Sequence, residues 1–273
     1  MAFRVGLDSQ TLFGMPPVEH VLLAARTGCD FVSLGYGPVP WRLPRFPDWS
    51  LRDDQRLSTE LRAVLADHRI DVELAEGFVV RPGVDLRSRE ADLDLFAELG
   101  ARKVATVCMD PDANRCADQL TSLCELSAQR GLDVMYEFAP PHTFNTLEQV
   151  CEVIDAIGAS NLALLIDSMH FFRCGEKPEE LAGIDVRIGY LQLSDTPASQ
   201  LDAADYYREA CYNRLAPGTG ELDLEALIRA VPSDLPIGLE VPMMARIDEG
   251  EALEDIVAQV VERSKALIAR SRN

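Results

Sequence analysis

Short apolar runs alternate along the whole chain with longer segments in which apolar residues recur at helical spacing. The short runs are rich in Val, Ile and Leu at successive positions, which is typical of parallel strands that are buried on both faces. Glycines follow the helical segments where helices are expected to end, as at Gly28, Gly100, Gly131 and Gly158. This repeated order of strand and helix predicts an α/β fold built on a parallel sheet.

Eight strands are predicted, and together they use the full length of the chain. The predicted strands are Phe3–Leu7, Asp30–Leu34, Asp71–Ala75, Lys103–Val107, Leu132–Tyr136, Leu162–Ile166, Ile188–Leu193 and Ile237–Leu239. Helices are predicted at Val18–Arg26, Ser58–Asp67, Ser88–Leu99, Ala117–Arg130, Thr146–Ile157, Leu224–Ala230 and Leu253–Ala269. A single (β/α)8 barrel takes ~250 residues, and no Gly/Ser-rich linker divides the 273 residues of this chain. We therefore predict one domain over residues 1–273 with the TIM-barrel fold.

Two segments show neither pattern and are predicted to lack regular structure. They are the Pro- and Trp-rich residues 35–49 and the long stretch of residues 195–220. Both follow a predicted strand, so we expect them over the C-terminal face of the barrel, where active sites of this fold form.

Charge narrows the range of partners. The chain has 26 Lys and Arg residues against 45 Asp and Glu residues, a formal net charge of −19, which repels nucleic acid and anionic membrane surfaces. No basic leader segment precedes a long apolar stretch, and the seven cysteines show no C-x-x-C spacing. We expect a cytoplasmic protein with reduced thiols that acts on a small molecule; homo-oligomer formation is left open.

Polar residues end the last four predicted strands, where side chains face the mouth of a barrel. They are Glu137, Asp167, Gln192 and Glu240. Carboxylates buried together repel one another and lose hydration, so they need shared protons or a bound cation. Oxygen ligands favour one hard divalent ion, Mg²⁺ or Mn²⁺. The alternative is that each acid caps the following helix or pairs with an arginine.

The order and strand placement of several short motifs resemble the xylose isomerase-like TIM-barrel superfamily of sugar and sugar-phosphate isomerases and epimerases. The motifs are Tyr136-Glu137-Phe138, the D-x-x-H element from Asp167 to His170, Leu191-Gln192-Leu193-Ser194-Asp195, Arg214-Leu215-Ala216-Pro217-Gly218-Thr219-Gly220 and Leu239-Glu240. In that family a Glu, an Asp, a His and a Glu on the last four strands hold one metal ion. Gln192 departs from the pattern, because many members have a histidine there.

The resemblance also implies roles for individual residues. His170 is expected to contact a substrate hydroxyl, Arg214 to bind a substrate oxygen, and the two glutamates Glu137 and Glu240 to act as acid and base from opposite faces of the substrate. Glu76 is predicted to end the third strand and Asp110 to follow the fourth. Each of these acids is expected either to bind substrate hydroxyls or to cap the next helix. His142 is a further candidate for substrate binding.

Three functions follow, in order of preference. The first is a metal-dependent isomerase or epimerase that acts on a sugar or related polyhydroxy-ketone through an enediolate. The second is a lyase similar to 3-dehydroshikimate dehydratases, which share the glutamine at the position of Gln192. Those enzymes typically have a histidine where this chain has Ala139, although His142 lies further along the same loop. The third is a barrel that binds ligands without catalysis.

Overall fold

The computed structural model describes residues 3–198 and 202–272 and contains a closed barrel of eight parallel strands in sequential order, with β1 paired to β8. The strands are β1 Val5–Leu7, β2 Phe31–Leu34, β3 Asp71–Val80, β4 Lys103–Cys108, β5 Asp133–Glu137, β6 Leu162–Asp167, β7 Ile188–Leu193 and β8 Ile237–Leu239. Every predicted strand is present within a few residues of its expected position. The predicted (β/α)8 fold is therefore confirmed.

Ten α-helices connect or flank the strands in the described part of the chain. They are α1 Pro17–Arg26, α2 Gln55–His68, α3 Glu90–Glu98, α4 Ala113–Ala128, α5 Leu147–Ile157, α6 Ser168–Arg173, α7 Ala203–Tyr212, α8 Leu224–Ala230, α9 Met244–Asp248 and α10 Leu253–Ser271. Short 3-10 helices cover Ser9–Leu12, Leu86–Arg89 and Pro178–Gly183. None of the helices described is both long and apolar enough to cross a lipid bilayer.

Two apolar layers hold the barrel together. A small cluster fills the barrel interior, where Phe31 meets Tyr190 edge to face with ring centroids 6.1 Å apart. A much larger cluster lies between the strands and the surrounding helices. Because both faces of each strand are covered, the strands read as continuous apolar runs in the sequence. The polar side chains that interrupt this pattern lie at the C-terminal ends of the strands.

Two local predictions were wrong. Strand β3 runs on to Val80, so Glu76 lies within the strand rather than at its end. The register against β4 shifts between Ala75 and Phe78, where Gly77 has φ +104°, a conformation that glycine adopts without strain. Residues 195–220 contain helix α7, although this segment was predicted to be irregular. Residues 35–49 contain neither helix nor strand, as predicted.

Candidate functional site

The C-terminal mouth of the barrel brings the strand-end polar residues together. Asp167 of β6 is level with Gln192 of β7, and Gln192 is level with Gly238 of β8. A cavity of about 160 Å³ opens there. Its polar lining comprises Gln10, Glu76, Thr106, Glu137 and Gln192. Acids and amides from both halves of the barrel therefore surround one space.

Glu137, Asp167 and His170 form a group of potential metal ligands at this mouth of the barrel. One ligand atom from each lies within 4.8 Å of the other two, and His170 Nε2 is 3.3 Å from Glu137 Oε1. The D-x-x-H motif explains this geometry, because the Asp167 side chain accepts a hydrogen bond of 3.0 Å from the His170 backbone N–H and so caps α6. His170 therefore lies in the first turn of α6, and its imidazole is in contact with Glu137 at the end of β5.

Arg214 lies beneath this group and is almost completely buried. Its Nη1 atom is 2.5 Å from Asp167 Oδ2 and 3.4 Å from Glu240 Oε2, and its Nε donates to the Ala210 carbonyl. The segment that carries it is fixed to the barrel by a backbone hydrogen bond from Arg214 to Pro242. The guanidinium thus contacts two strand-end carboxylates, and its predicted contact with substrate stays a prediction.

Burial and Arg214 act differently on the three carboxyl groups. Burial raises the pKa of Glu137 to about 8, and the nearby Asp167 carboxylate adds to the effect. Burial also raises the pKa of Glu240 well above its ordinary value, against the opposing effect of Arg214. For Asp167 burial acts in the same upward direction, but the charge of Arg214, the nearby His170 and the hydrogen bonds to the carboxylate together lower the pKa below its ordinary value. Asp167 is therefore the acid best kept ionised.

Gln192 of β7 is held by Asp8, which follows β1; both strands pair with β8 in the closed barrel. Its Nε2 donates a hydrogen bond of 3.1 Å to Asp8 Oδ2, and Tyr190 OH donates one of 2.9 Å to Asp8 Oδ1. The Gln192 Oε1 atom is buried without a hydrogen-bond partner among the described residues. Burial, followed by repulsion from Glu76, raises the pKa of Asp8 to about 7.

Of the other three candidate residues, Glu76 and Asp110 have side-chain partners and His142 has an unpartnered ring nitrogen. Glu76 accepts hydrogen bonds from the hydroxyls of Ser9 and Ser33 and lines the cavity, so it can still meet a ligand there. Asp110 instead forms a two-point ion pair with Arg115, and its predicted alternative role as the cap of the next helix is wrong, because Asp112 caps α4. His142 Nδ1 is buried without a hydrogen-bond partner in the described chain, and burial lowers the pKa of this imidazole to about 4.

Tyr206 of α7 belongs to the site although sequence reasoning did not single it out. Its hydroxyl is 2.8 Å from His170 Nδ1, on the side of the ring opposite Glu137. Burial lowers the pKa of His170 to about 3, so the ring is neutral and carries one N–H. Tyr206 was missed because α7 lies in a segment predicted to be irregular, where helical spacing was not sought.

A divalent cation fits the chemistry of this donor set. Three carboxylates, Glu137, Asp167 and Glu240, face the single positive charge of Arg214, and a further cation would offset their repulsion. The unpartnered carbonyl oxygen of Gln192 is a ligand that hard ions accept. Glu137 and Asp167 are among the four predicted ligands, and His170 joins them here. Direct ligation by Gln192 and Glu240 stays a prediction.

Comparison with known proteins agrees with the fold and the motifs. A profile of the family described as xylose isomerase-like TIM barrel matches residues 21–266. An inosose isomerase from Bacillus velezensis is 32% identical over 121 residues, which are 42% of this chain and 40% of the relative. The chain thus aligns with about two fifths of the length of this curated relative.

Solved structures resemble the whole barrel. The IOLI protein with a bound zinc atom superposes with a TM-score of 0.79 at 20% identity, over 98% of this chain and 99% of that one. The probable 3-DHS dehydratase AsbF from Bacillus anthracis gives a TM-score of 0.71 at 14% identity, over 99% of each chain. At these identities the likeness is one of fold.

Proposed function

Because the chain belongs to the xylose isomerase-like TIM-barrel family, we propose that it is a divalent-metal-dependent isomerase or epimerase of a polyhydroxy-ketone. The observation that carries this proposal is the group of Glu137, Asp167 and His170 at the barrel mouth, with ligand atoms within 4.8 Å of one another. The partial identity to inosose isomerases suggests a cyclic substrate of the inosose kind.

The proposed metal ligands are Glu137, Asp167, Gln192 and Glu240, and the proposed ion is Mg²⁺ or Mn²⁺. Three charged oxygens and one amide oxygen make a hard donor set. The bound ion would act as a Lewis acid that stabilises the negative charge of an enediolate. Support comes from the unpartnered Gln192 Oε1 and from the three buried carboxylates, of which only Asp167 and Glu240 contact the Arg214 guanidinium.

The side chains around the ion divide the remaining work. Glu137, which lines the cavity at the end of β5, is proposed to take a proton from carbon and to return it. Glu240 is proposed to act as the second acid–base group, on the face of the substrate opposite Glu137. His170 presents a neutral imidazole beside Glu137 and is proposed to bind a substrate hydroxyl, and Glu76 is proposed to accept a second hydroxyl from across the cavity.

The test is incubation of the purified protein with an inosose and Mn²⁺ in deuterated water, followed by proton NMR. Isomerisation through an enediolate gives a new polyhydroxy-ketone and exchanges the hydrogen next to the carbonyl for deuterium. Glu137→Gln serves as the control, because it keeps the size of the side chain but removes the base. A panel of inososes and ketoses that shows neither exchange nor product in the wild type contradicts the proposal.

A second candidate is a lyase that dehydrates 3-dehydroshikimate. It is favoured by Gln192 and by His142, which is close enough to His170 to influence its pKa and has an unpartnered Nδ1. Dehydration of 3-dehydroshikimate produces a conjugated ring and raises the ultraviolet absorbance, whereas isomerisation does not. Binding of these ligands without turnover would instead favour the third alternative, a barrel that has no catalytic activity.

A further inference from the structure

Asp8 lies at the end of β1, is fully buried, and has both carboxylate oxygens engaged from β7. Tyr190 OH donates to Oδ1 at 2.9 Å and Gln192 Nε2 donates to Oδ2 at 3.1 Å. The Gln192 amide therefore has its nitrogen bonded, while Oε1 has no hydrogen-bond partner within the described chain. Gln192 also lines the cavity that contains Glu137.

We infer that Asp8 is a positioning residue that decides which end of the Gln192 amide faces the site. An ionised carboxylate only accepts hydrogen bonds, so it draws the NH₂ end of the amide toward itself. The carbonyl oxygen is then left for the cavity, where it can meet a cation. This inference rests on the proposed function, in which Gln192 Oε1 is a metal ligand.

The packing around Asp8 is specific to this arrangement. A β-carbon on Gly238 would overlap Tyr190 Oη and both Asp8 carboxylate oxygens, so only glycine leaves room for the group. Gly238 is also level with Gln192 in the sheet. The strands β1, β7 and β8 thus meet around one carboxylate, and the amide of Gln192 has no second acceptor beside it in the described structure.

Asp8→Asn tests the inference because it keeps the shape and, with Tyr190 still donating to the remaining oxygen, replaces the acceptor that faces Gln192 with an NH₂ donor. The introduced amide can donate to Gln192 Oε1, which would turn the NH₂ end of Gln192 toward the cavity and repel a cation. We expect Mn²⁺ affinity, measured by electron paramagnetic resonance titration of free Mn²⁺, to fall by about 10- to 100-fold, as for other partners that orient metal ligands. Thermal melting of each variant checks that the fold persists.

Two further variants separate orientation from packing. Tyr190→Phe removes the other hydrogen bond to Asp8 but keeps the carboxylate, so its Mn²⁺ affinity should stay within a few-fold of the wild type. The double variant Asp8→Asn/Gln192→Glu restores a complementary pair, because a carboxylate at position 192 can accept from the new amide and still offer an oxygen to the ion. It should bind Mn²⁺ more tightly than Asp8→Asn alone.

The outcomes separate the positioning role of Asp8 from the proposed metal-dependent function on which it rests. Wild-type protein that binds no Mn²⁺ overturns both. Unchanged affinity in Asp8→Asn, or equal losses in Asp8→Asn and Tyr190→Phe, overturns the role of Asp8 and leaves the metal site standing. If Asp8→Asn alone does not fold, folding and Mn²⁺ binding by the double variant support the inference, and their failure overturns it.

Discussion

Asp8 and Asp167 occupy matching places on two sides of the barrel and behave in opposite ways. Each stands at the C-terminal end of its strand and is buried. Burial raises the pKa of Asp8 to about 7, assisted by Glu76. The pKa of Asp167 is lowered instead, because the charge of Arg214 and the other interactions that favour the ionised carboxylate together exceed the effect of burial. The two sides of the barrel mouth therefore hold buried acids by different means.

The difference lies in the partners. On the β1–β3 side, hydroxyl and amide groups donate to Asp8 and Glu76, and no guanidinium or ammonium group contacts either carboxylate in the described chain. On the β6–β8 side, one guanidinium contacts both Asp167 and Glu240. Neutral donors can orient an acid or amide, whereas a fixed positive charge keeps an acid ionised. The first side is suited to positioning and the second to holding charge.

The largest effect is expected from Arg214→Met. Removing the guanidinium leaves Asp167 and Glu240 buried without their cation, which typically costs about 3–5 kcal/mol of unfolding free energy. Urea unfolding in the presence of a chelator measures this loss. Added Mn²⁺ should recover part of it, because the ion supplies the missing positive charge.

The matched control for this change is Arg187→Met. Arg187 pairs with Asp133 at 3.0 Å, but both side chains are more than a third exposed to solvent, so the loss should be only about 0–1 kcal/mol. Similar losses in the two variants would mean that Arg214 does not stabilise buried charge, and the contrast between the two sides would disappear.

The second largest effect is expected from a change at Glu137. This acid lies at the end of β5, next to the β6–β8 side of the mouth, but does not contact the Arg214 guanidinium. Glu137→Asp keeps the charge but withdraws the carboxylate. Displacing a reacting group by about 1 Å can lower the rate about 10²-fold. Steady-state kinetics on an inosose, with Mn²⁺ binding measured on the same preparation, checks this. A wild-type rate with metal bound would show that Glu137 is not the base.

The pKa shifts also predict how stability depends on pH in the presence of a chelator. Asp8 and Glu137 have folded-state pKa values raised to about 7 and about 8, so the folded state binds their protons more tightly than the unfolded chain. Stability should therefore fall as pH rises from about 4 to about 8, by up to ~1.4 kcal/mol per pH unit for each group.

Asp8→Asn sharpens this comparison because it removes one of the two groups. The fall in unfolding free energy between pH 4 and pH 7 should become shallower in that variant, as measured by urea unfolding at several pH values. Asp167 acts in the opposite sense: its lowered pKa stabilises the fold above its ordinary pKa, and this contribution is lost in strong acid. An unchanged slope in Asp8→Asn would show that Asp8 has no raised pKa.

Local sequence patterns were sufficient for the barrel but not for its polar contacts. Most strands are buried on both faces, so their apolar runs are visible in the sequence. Helices α2 and α4 begin three and four residues earlier than predicted, because the side chains of Asp54 and Asp112 accept backbone N–H groups as N-caps. Those capping signals were present in the sequence and were overlooked.

Residues of the candidate site were predictable from the sequence only where a polar side chain ends a strand. Glu137, Asp167, Gln192 and Glu240 could be found by locating the end of each strand. The contact of Asp8 with Gln192 joins residues 184 positions apart, and no local pattern encodes which acid an amide will meet. Glu76 was predicted to end its strand because Glu76 and Gly77 interrupt the apolar run, but β3 continues past this register shift through Phe78 to Val80.

The smallest effect is expected from Tyr206→Phe. This change tests whether the β6–β8 side of the barrel mouth also depends on a neutral hydrogen-bond donor. Tyr206 OH is 2.8 Å from His170 Nδ1, and Glu137 Oε1 is 3.3 Å from Nε2. When the ring carries its proton on Nε2 and donates to Glu137, Nδ1 must accept from Tyr206. Tyr206→Phe leaves Nδ1 buried without that donor, so the competing tautomer gains population. We expect kcat to fall about tenfold, the lower end of the range for partners that orient a ligand or acid–base group.

Tyr207→Phe is the matched control, since Tyr207 is the next residue of the same helix but is 46% exposed. It should leave both the rate and the nitrogen spectrum of the protein unchanged. In Tyr206→Phe the ¹⁵N shifts of His170 should move toward those of the ring protonated on Nδ1, a change that a loss of packing alone would not produce. A slower rate with unchanged ¹⁵N shifts would mean that Tyr206 only packs against the ring. The guanidinium of Arg214 would then be sufficient to organise this side of the barrel mouth, and dependence on hydroxyl donors would be confined to Asp8 and Glu76.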